Sequence, residues 1–430
     1  MLEITATCLV LTALLAYLNF RYIRLPITIG VMVTALLLSL VIILLDLAGA
    51  DFGLHHKMEA MLRAIDFSNV LMQGMLSFLL FAGALHIDLS ELRAYRWQVL
   101  ILAFFSTLFS TFIVGLAAWY VLPFVGISMP LLYCLLFGAL ISPTDPIAVM
   151  GILKSAGIPK NLELVISGES LFNDGVGVVI FSILMSMLLI GEAPTFHEGL
   201  GLLMHEAGGG LLYGLLIGYI TFHLLRSIDN YQVEVMITLA AVMGGYVLAS
   251  KLHVSGPLAM VVAGLVVGNH GRELAMSDTT RLYVDMFWEM IDDILNAVLF
   301  VLIGMEVMLI AFSWSLFAAG LAMVIMTLIA RALTVWVPVH YLPGYFKLPR
   351  GAGLVLTWGG LRGGISVALA LSLPSGNERD VILSLTYCIV VVSILVQGLT
   401  VGKLAEKATA PDAGTAEGGD APAASEAKAS

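Results

Sequence analysis

The chain has 430 residues, of which 60% are hydrophobic and 12% are charged, and its formal net charge is −10. The mean hydropathy of +1.00 excludes a soluble globular protein, because a chain of this length could not bury so much apolar surface. Nucleic acid is excluded as a partner, because the sequence contains no basic patch and no interleaved aromatic stripe.

Apolar runs of about 20 residues recur along the chain, and a helix of that length crosses a bilayer core about 30 Å thick. We therefore predict an all-α polytopic membrane protein with about thirteen transmembrane helices. Residues 1–407 form the predicted membrane domain, and the polar, Ala- and Gly-rich residues 408–430 form a predicted disordered tail. The predicted spans lie near residues 3–20, 27–45, 69–87, 98–122, 130–153, 162–190, 205–225, 233–251, 255–269, 283–310, 313–338, 351–373 and 381–402.

The positions of Lys and Arg predict the orientation. If the N-terminus is outside and the C-terminus is cytoplasmic, fourteen of the 20 basic residues lie on the inner side and four on the outer side. The other two, Arg331 and Arg362, lie within predicted spans. This bias follows the positive-inside rule and favours an odd number of spans in a multi-pass plasma-membrane protein.

The stretch FGALISPTDPIAVMGILK places Thr144 and Asp145 between Pro143 and Pro146 in the middle of an apolar run. Each proline removes a backbone donor and clashes with the preceding turn, so carbonyls such as that of Ser142 lose their helical partners. Two prolines this close predict a helix that opens within the membrane, where freed carbonyls can hold cations. An ordinary proline kink is the alternative, and the acidic residue between the prolines argues against it.

The next span contains GESLFNDG at residues 168–175. At about 100° per residue, Glu169, Ser170, Asn173 and Asp174 fall within one arc of about 140°. Ionisable groups inside a membrane are costly, by at least about 2.5 kcal/mol on insertion scales, and they mark ion pathways and proton relays. The stretch predicts an ion or proton site, and the alternative is a polar cluster that only ties helices together.

Two arginines lie within later spans. Arg362 is surrounded by four glycines in WGGLRGGIS, which predicts a second interrupted helix in the later half of the molecule. Arg331, in MTLIARALTVWVPVH, requires a counter-ion because an unpaired buried guanidinium is very costly. Glu169 is the first candidate for that partner, and Arg362 competes with Arg331 for it.

A further polar group stands in WEMIDDILNAVLFVLIGME. Asp292, Asp293 and Asn296 share one helical stretch, where they could line an inner or outer funnel. An interfacial helix start is the alternative.

These elements together resemble the NhaP-type sodium/proton antiporters, which share a family with the animal sodium/proton exchangers. The resemblance is carried by SPTDP (142–146), GESLFND (168–174), ARALTVW (330–336) and GGLRGGIS (359–366), and more loosely by FAGALHIDL (81–89). It implies an NhaA-like antiporter fold with inverted repeats and two crossed broken helices. It also implies a homodimer, built from a dimerisation part and a six-helix ion-transport core.

The same resemblance implies roles for individual residues. Asp174 becomes the carrier of the proton and the cation, Asn173 stands where electrogenic relatives have a second Asp, and Ala82 replaces an acidic residue that many relatives carry. Glu169 and Arg331 become a structural ion pair. The implied Na⁺ ligands are Asp174, Asp145, Ser170 and Thr144, and no cofactor is expected.

The expected function is electroneutral exchange of one Na⁺ or Li⁺ for one H⁺ by alternating access, in the service of pH regulation and sodium homeostasis. Cation and proton compete for Asp174, so the expected partners are monovalent cations, protons and the lipid bilayer. The expected activity is secondary active transport rather than enzymatic catalysis. A potassium/proton antiporter of the same fold is the main alternative, followed by a cation channel or a transport-dead sensor.

Overall fold

The computed structural model describes residues 2–48, 58, 74–145, 147–190, 201–309, 313–342, 345, 346, 348, 349 and 351–409. Within these residues the chain is helical and contains no β-strand, as the sequence predicts. Eight of the described helices are long and apolar enough to cross a membrane, and three shorter apolar helices accompany them.

The first half of the chain forms seven helical segments among the described residues. In chain order they are α1 (Leu2–Leu18), α2 (Ile27–Leu47), α3 (Leu76–Leu85), α4 (Leu89–Val125), α5 (Leu131–Ile141), α6 (Ile147–Ser155) and α7 (Lys160–Ile190).

The second half forms eight more. They are α8 (Gly201–Arg226), α9 (Tyr231–Lys251), α10 (Gly256–Gly271), α11 (Asp278–Glu306), α12 (Trp314–Tyr341), α13 (Ala352–Trp358), α14 (Gly364–Leu371) and α15, which runs from Asn377–Val392 through a π-helical turn into Leu399–Thr409.

Every predicted span overlaps one of these helices or a consecutive pair of them. Part of the span predicted at 69–87 lies outside the described residues, and so does Pro146. The last helix continues to Thr409, so it enters the segment that was predicted as a disordered tail from residue 408. Residues 410–430 of that tail lie outside the described residues.

Polar side chains begin several of the helices at the positions that capping chemistry favours. The Asp88 side chain accepts hydrogen bonds from the backbone N–H groups at 90 and 91, at the start of α4. Asn230 does the same for the first turn of α9, and Ser277 accepts from the Thr280 N–H at the start of α11. These caps satisfy backbone donors that would otherwise lack a partner at a helix start.

The helices pack in two groups. In one group α3, α8, α9 and α10 contact one another, and in the other α4, α5, α7, α12, α14 and α15 do. The long helix α11 contacts α2, α3, α9 and α14, so it touches members of both groups. The second group is held by a buried apolar cluster that includes Phe137, Leu171, Ala330 and Leu369.

Large apolar side chains cover much of the outward surface. Leu212 is 71% exposed, and Phe20, Tyr120 and Trp314 are also exposed. Such a surface is unfavourable in water and favourable in lipid, and helices satisfy their backbone groups internally. The fold is therefore that of a multi-pass membrane protein.

Candidate ion-binding site

The first interrupted helix consists of α5 and α6. Helix α5 ends at Ile141, and Ser142, Pro143, Thr144 and Asp145 have no regular secondary structure before α6 begins at 147. The chain approaches α7 closely here, because a Cβ added at Gly177 would collide with the ring of Pro143. The interruption lies where the paired prolines predict it, and it brings Thr144 and Asp145 beside α7.

The second interrupted helix consists of α13 and α14, which flank the irregular residues 359–363. The two interruptions cross. The Asp145 N–H donates to the Leu361 carbonyl at 2.8 Å, and a Cβ added at Gly363 would overlap the Asp145 side chain. Glycine at this position therefore lets the second chain segment pass directly against Asp145, which accounts for part of the glycine cluster seen in the sequence.

Arg362 lies in the crossing and is 4% exposed. Its Nη1 donates to the Ser142 carbonyl at 2.5 Å and to the Pro143 carbonyl at 2.8 Å, while its backbone N–H donates to Ser393 Oγ at 3.1 Å. The guanidinium thus satisfies the Ser142 carbonyl, which the sequence identified as one that loses its helical partner. The sequence pattern predicted Arg362 as a competitor for Glu169, and it contained no signal for this bridging contact with the Ser142 and Pro143 carbonyls.

Glu169 pairs with Arg331. Arg331 Nη1 and Nη2 each donate to one Glu169 oxygen, the Nη2 bond being 3.0 Å long, and the two residues are 6% and 2% exposed respectively. The same guanidinium donates through Nε at 3.2 Å and Nη2 at 3.0 Å to the Leu356 carbonyl at the end of α13. This bidentate pair joins α7, α12 and α13, and between the two candidate cations it is Arg331 that contacts Glu169.

The polar face of α7 also holds the first interruption. Ser170 Oγ donates to the Thr144 carbonyl at 2.5 Å, and Asn173 Nδ2 donates to Thr144 Oγ1 at 2.8 Å. The Thr144 N–H also donates to Asn173 Oδ1 at 3.4 Å, so the Asn173 amide makes two hydrogen bonds to Thr144. All three residues are buried. Ser170, Asn173 and Thr144 therefore form one cluster, as the resemblance implies.

Asp174 lies next along α7 and is half-buried, like Asp145. The two carboxylates are close enough to interact electrostatically. Asp174 makes no hydrogen bond to another side chain in the part of the chain that the structure describes, whereas Asn173 is hydrogen-bonded to Thr144. Carboxylate, hydroxyl and carbonyl oxygens thus lie near one another beside the crossing, and oxygen is the ligand that hard cations prefer.

The remaining polar residues are not hydrogen-bonded to this cluster among the described residues. Asp292, Asp293 and Asn296 stand in the middle of α11, fourteen or more residues after its start at Asp278, so they do not form a helix start. Ala82 is 1% exposed and belongs to an apolar cluster with Trp288, where it supplies no oxygen from its side chain.

Two interrupted helices that cross beside membrane-embedded carboxylates define a transporter of small ions. Residues 10–407 match the transmembrane sodium/hydrogen exchanger family, and the chain belongs to that family.

Named relatives agree with this membership. The chain is 55% identical over 411 residues to the Na⁺/H⁺ antiporter NhaP of Pseudomonas aeruginosa, an alignment that covers 95% of this chain and 97% of the relative. It is 37% identical over 339 residues to the Na⁺/H⁺ antiporter NhaH of Halobacillus dabanensis, covering 77% and 81% of the two chains. The structure of the sodium proton antiporter MjNhaP1 from Methanocaldococcus jannaschii at pH 8 superposes with a TM-score of 0.73 at 21% identity, covering 94% of this chain and 98% of that chain. The prediction of an all-helical antiporter fold is thereby confirmed, and the number of about thirteen transmembrane helices stays a prediction.

Proposed function

We propose that this protein exchanges one Na⁺ or Li⁺ for one H⁺ by alternating access. The observation that carries the proposal is the pair of adjacent carboxylates, Asp174 and Asp145, beside the crossing of two interrupted helices. The family and the relatives named Na⁺/H⁺ antiporters support sodium as the cation. They do not favour the potassium alternative.

Asp174 is the exchanging group. Its carboxylate holds either a proton or a cation, and both loaded states are close to neutral. The empty carboxylate is charged, and carrying a bare charge through the bilayer costs about 2.5–3.5 kcal/mol or more. The protein therefore moves readily when Asp174 is loaded and poorly when it is empty, and this difference couples the two fluxes.

The cation shell comes from residues that the crossing brings together. Asp174 and Asp145 supply carboxylate oxygens, Ser170 its hydroxyl and Thr144 its carbonyl, which already faces Ser170 at 2.5 Å. Asn173 completes the site by fixing Thr144 through its amide. The site so formed takes Na⁺ as cargo and needs no resident cofactor.

The electrical neutrality of the exchange follows from Asn173. Asn173 cannot titrate, and its amide is engaged by Thr144. One carboxylate then trades one proton for one monovalent cation, so no net charge crosses the membrane in a full cycle.

Glu169 and Arg331 form the structural ion pair that fixes α7 against α12 and α13. Their pairing keeps both charges internally compensated, so neither takes part in the exchange. Arg362 fixes the first interruption by binding its carbonyls.

The larger organisation follows the same proposal. Residues 1–407 form the antiporter domain, the two helix groups correspond to the dimerisation part and the six-helix core, and two chains assemble in the plasma membrane. The N-terminus lies outside, and the tail from residue 408 is cytoplasmic. The distribution of basic residues supports this orientation.

Reconstitution into sealed vesicles with a pH-sensitive dye tests the proposal. The wild type is expected to release protons when Na⁺ or Li⁺ is added, with a much smaller response to K⁺. Asp174→Asn is expected to abolish the response while the thermal unfolding midpoint stays within a few degrees. Asp278→Asn is the matched control, because Asp278 is fully exposed at the start of α11.

Retained exchange by Asp174→Asn would refute the assignment of the carrier. A turnover that depends strongly on an imposed membrane potential would refute the one-for-one exchange. Flux far above exchanger turnover indicates a channel, and cation binding without proton movement indicates a sensor.

A further inference from the structure

Asp292 is a carboxylate within the span predicted near residues 283–310, and the exchange described above does not use it. It lies in the middle of α11 and is half-buried, and its Oδ1 is shielded from solvent without a hydrogen-bond partner among the described residues. Asn296, one turn further, donates through Nδ2 at 2.9 Å to the Asp292 backbone carbonyl, and its side chain also hydrogen-bonds the carboxyl group, but Oδ1 stays without a partner. A carboxylate oxygen left in this condition is costly, so it needs an explanation.

The position of Asp292 on α11 relates it to the crossing. Asp292, Asn296 and Leu299 are spaced by four and three residues, so they share one face of the helix. Leu299 packs against Gly364, which follows Gly363, the residue that abuts Asp145. Seven residues separate Leu299 from Asp292, so Asp292 lies about 10 Å along the helix axis toward the start of α11.

The charged groups that act on Asp292 in the described part of the chain are all negative, and the uncharged Asn296 side chain supplies a hydrogen bond. The charged groups are Asp293, Asp145 and Glu289. No cation among the described residues pairs with it. A structural ion pair therefore does not account for this residue, and its interaction with Asp145 connects it to the candidate site.

We propose that Asp292 is a third carboxylate on the cation route, which attracts monovalent cations toward Asp145 and Asp174 and raises their affinity at that site. The residue does not carry the ion through the membrane, because it stands on α11, outside the crossing. It acts through the site, so it is a positioning residue. The inference rests on the proposed ion site at Asp174 and Asp145, and it assigns to Asp292 alone a definite role, which the sequence left open between a funnel lining and a helix start.

Asp293 provides a matched control. It is the next residue on the same helix, it carries the same charge, and its side chain is exposed. Asp292→Asn and Asp293→Asn therefore make the same chemical change at two neighbouring positions that face different surroundings.

The experiment measures the KM for Na⁺ and for Li⁺ in proteoliposomes at alkaline pH, where protons compete least. Asp292→Asn is expected to raise both KM values about three- to tenfold with Vmax changed by less than about twofold, because one negative charge near the route is removed. Asp293→Asn is expected to leave both KM values unchanged, and Asp292→Glu to restore them to near the wild-type values.

Thermal unfolding gives a second readout. Asp292→Asn removes an unpaired charge and keeps the shape of the side chain, so its unfolding midpoint is expected to equal or exceed that of the wild type. A lowered midpoint, an unchanged KM in Asp292→Asn, or equal KM shifts in the Asp292 and Asp293 variants would overturn the proposal. If Asp174→Asn abolishes exchange while Asp292→Asn keeps the wild-type KM, only this inference fails and the proposed function stands.

Discussion

The ion pair between Glu169 and Arg331 gives the sharpest prediction about stability. The change is Glu169→Gln, which keeps the shape of the side chain and removes its charge. The two residues are 2% and 6% exposed, and the remaining guanidinium would keep its bonds to the Leu356 carbonyl but lose its counter-charge. Removing one member of a buried pair leaves an uncompensated charge and costs about 3–5 kcal/mol.

The matched control is Glu91→Gln. Glu91 pairs with Lys160 at 2.5 Å, but the side chains are 38% and 70% exposed. A pair in contact with solvent contributes about 0–1 kcal/mol. The two variants thus make the same substitution in a buried pair and in an exposed one.

The assay is thermal unfolding of purified protein in detergent, followed by tryptophan fluorescence. Glu169→Gln is expected to lower the midpoint by roughly 3–6 °C, and Glu91→Gln by roughly 1 °C or less. Arg331→Gln is expected to be more destabilising than Glu169→Gln, because it also releases the Leu356 carbonyl. If the two variants unfold at the same temperature, the buried pair does not hold α7, α12 and α13 together.

Three further predictions concern the crossing and the start of α4. Gly363→Ala places a methyl group against the Asp145 side chain, so it is expected to lower the free energy of unfolding by about 1–3 kcal/mol and to abolish exchange in vesicles. Gly244→Ala is the control, because its methyl group meets open space, and it is expected to keep the wild-type stability and exchange. Arg362→Gln is expected to reduce exchange at least tenfold while the protein still purifies as a folded species, and exchange at the wild-type rate would contradict its bridging role. Hydrogen bonds from the Ser90 side chain and from backbone N–H groups lower the pKa of Asp88 in the folded protein. The stability that Asp88 contributes is therefore fully present above the unfolded pKa of about 3.9, and it is lost as the pH falls through the lower folded pKa. Asp88→Ala is expected to lower the unfolding free energy by about 1 kcal/mol at pH 7, with a difference that shrinks below about pH 4, and a difference independent of pH would contradict the cap.

The spans were predictable because the bilayer imposes a length on every apolar helix. The first interruption was also predictable, since Pro143 cannot donate a backbone hydrogen bond and an acidic residue stands beside it. The start of α4 was not predictable from the hydropathy of the sequence. Its first turns read LSELRAYRWQ, which is too polar for a hydropathy window, yet the helix begins at Leu89 after the Asp88 cap, nine residues before the predicted span at 98–122.

The candidate site was predictable in its members but not in its contacts. The cost of unpaired buried charges required a cation for Glu169, and it left both Arg331 and Arg362 as candidates. The choice depends on where the two interruptions cross, which places Arg362 against the Ser142 and Pro143 carbonyls. No local pattern encodes that crossing, because it joins segments more than 200 residues apart.

The role of Asp292 also could not be predicted from the sequence alone. The sequence identified the polar group on this helix and left a funnel or a helix start open. Only the packing of Leu299 on Gly364 and the proximity of Asp145 relate Asp292 to the site. Asp293, its neighbour in the chain, is exposed, so the two identical residues differ through their helix faces alone.

The most direct test of the exchange is simultaneous measurement of ²²Na⁺ uptake and proton efflux in the same proteoliposomes. Competition of both ions for Asp174 predicts a ratio of about one, unchanged when the membrane potential is clamped at different values. Sodium uptake without a matching movement of acid equivalents would contradict the account.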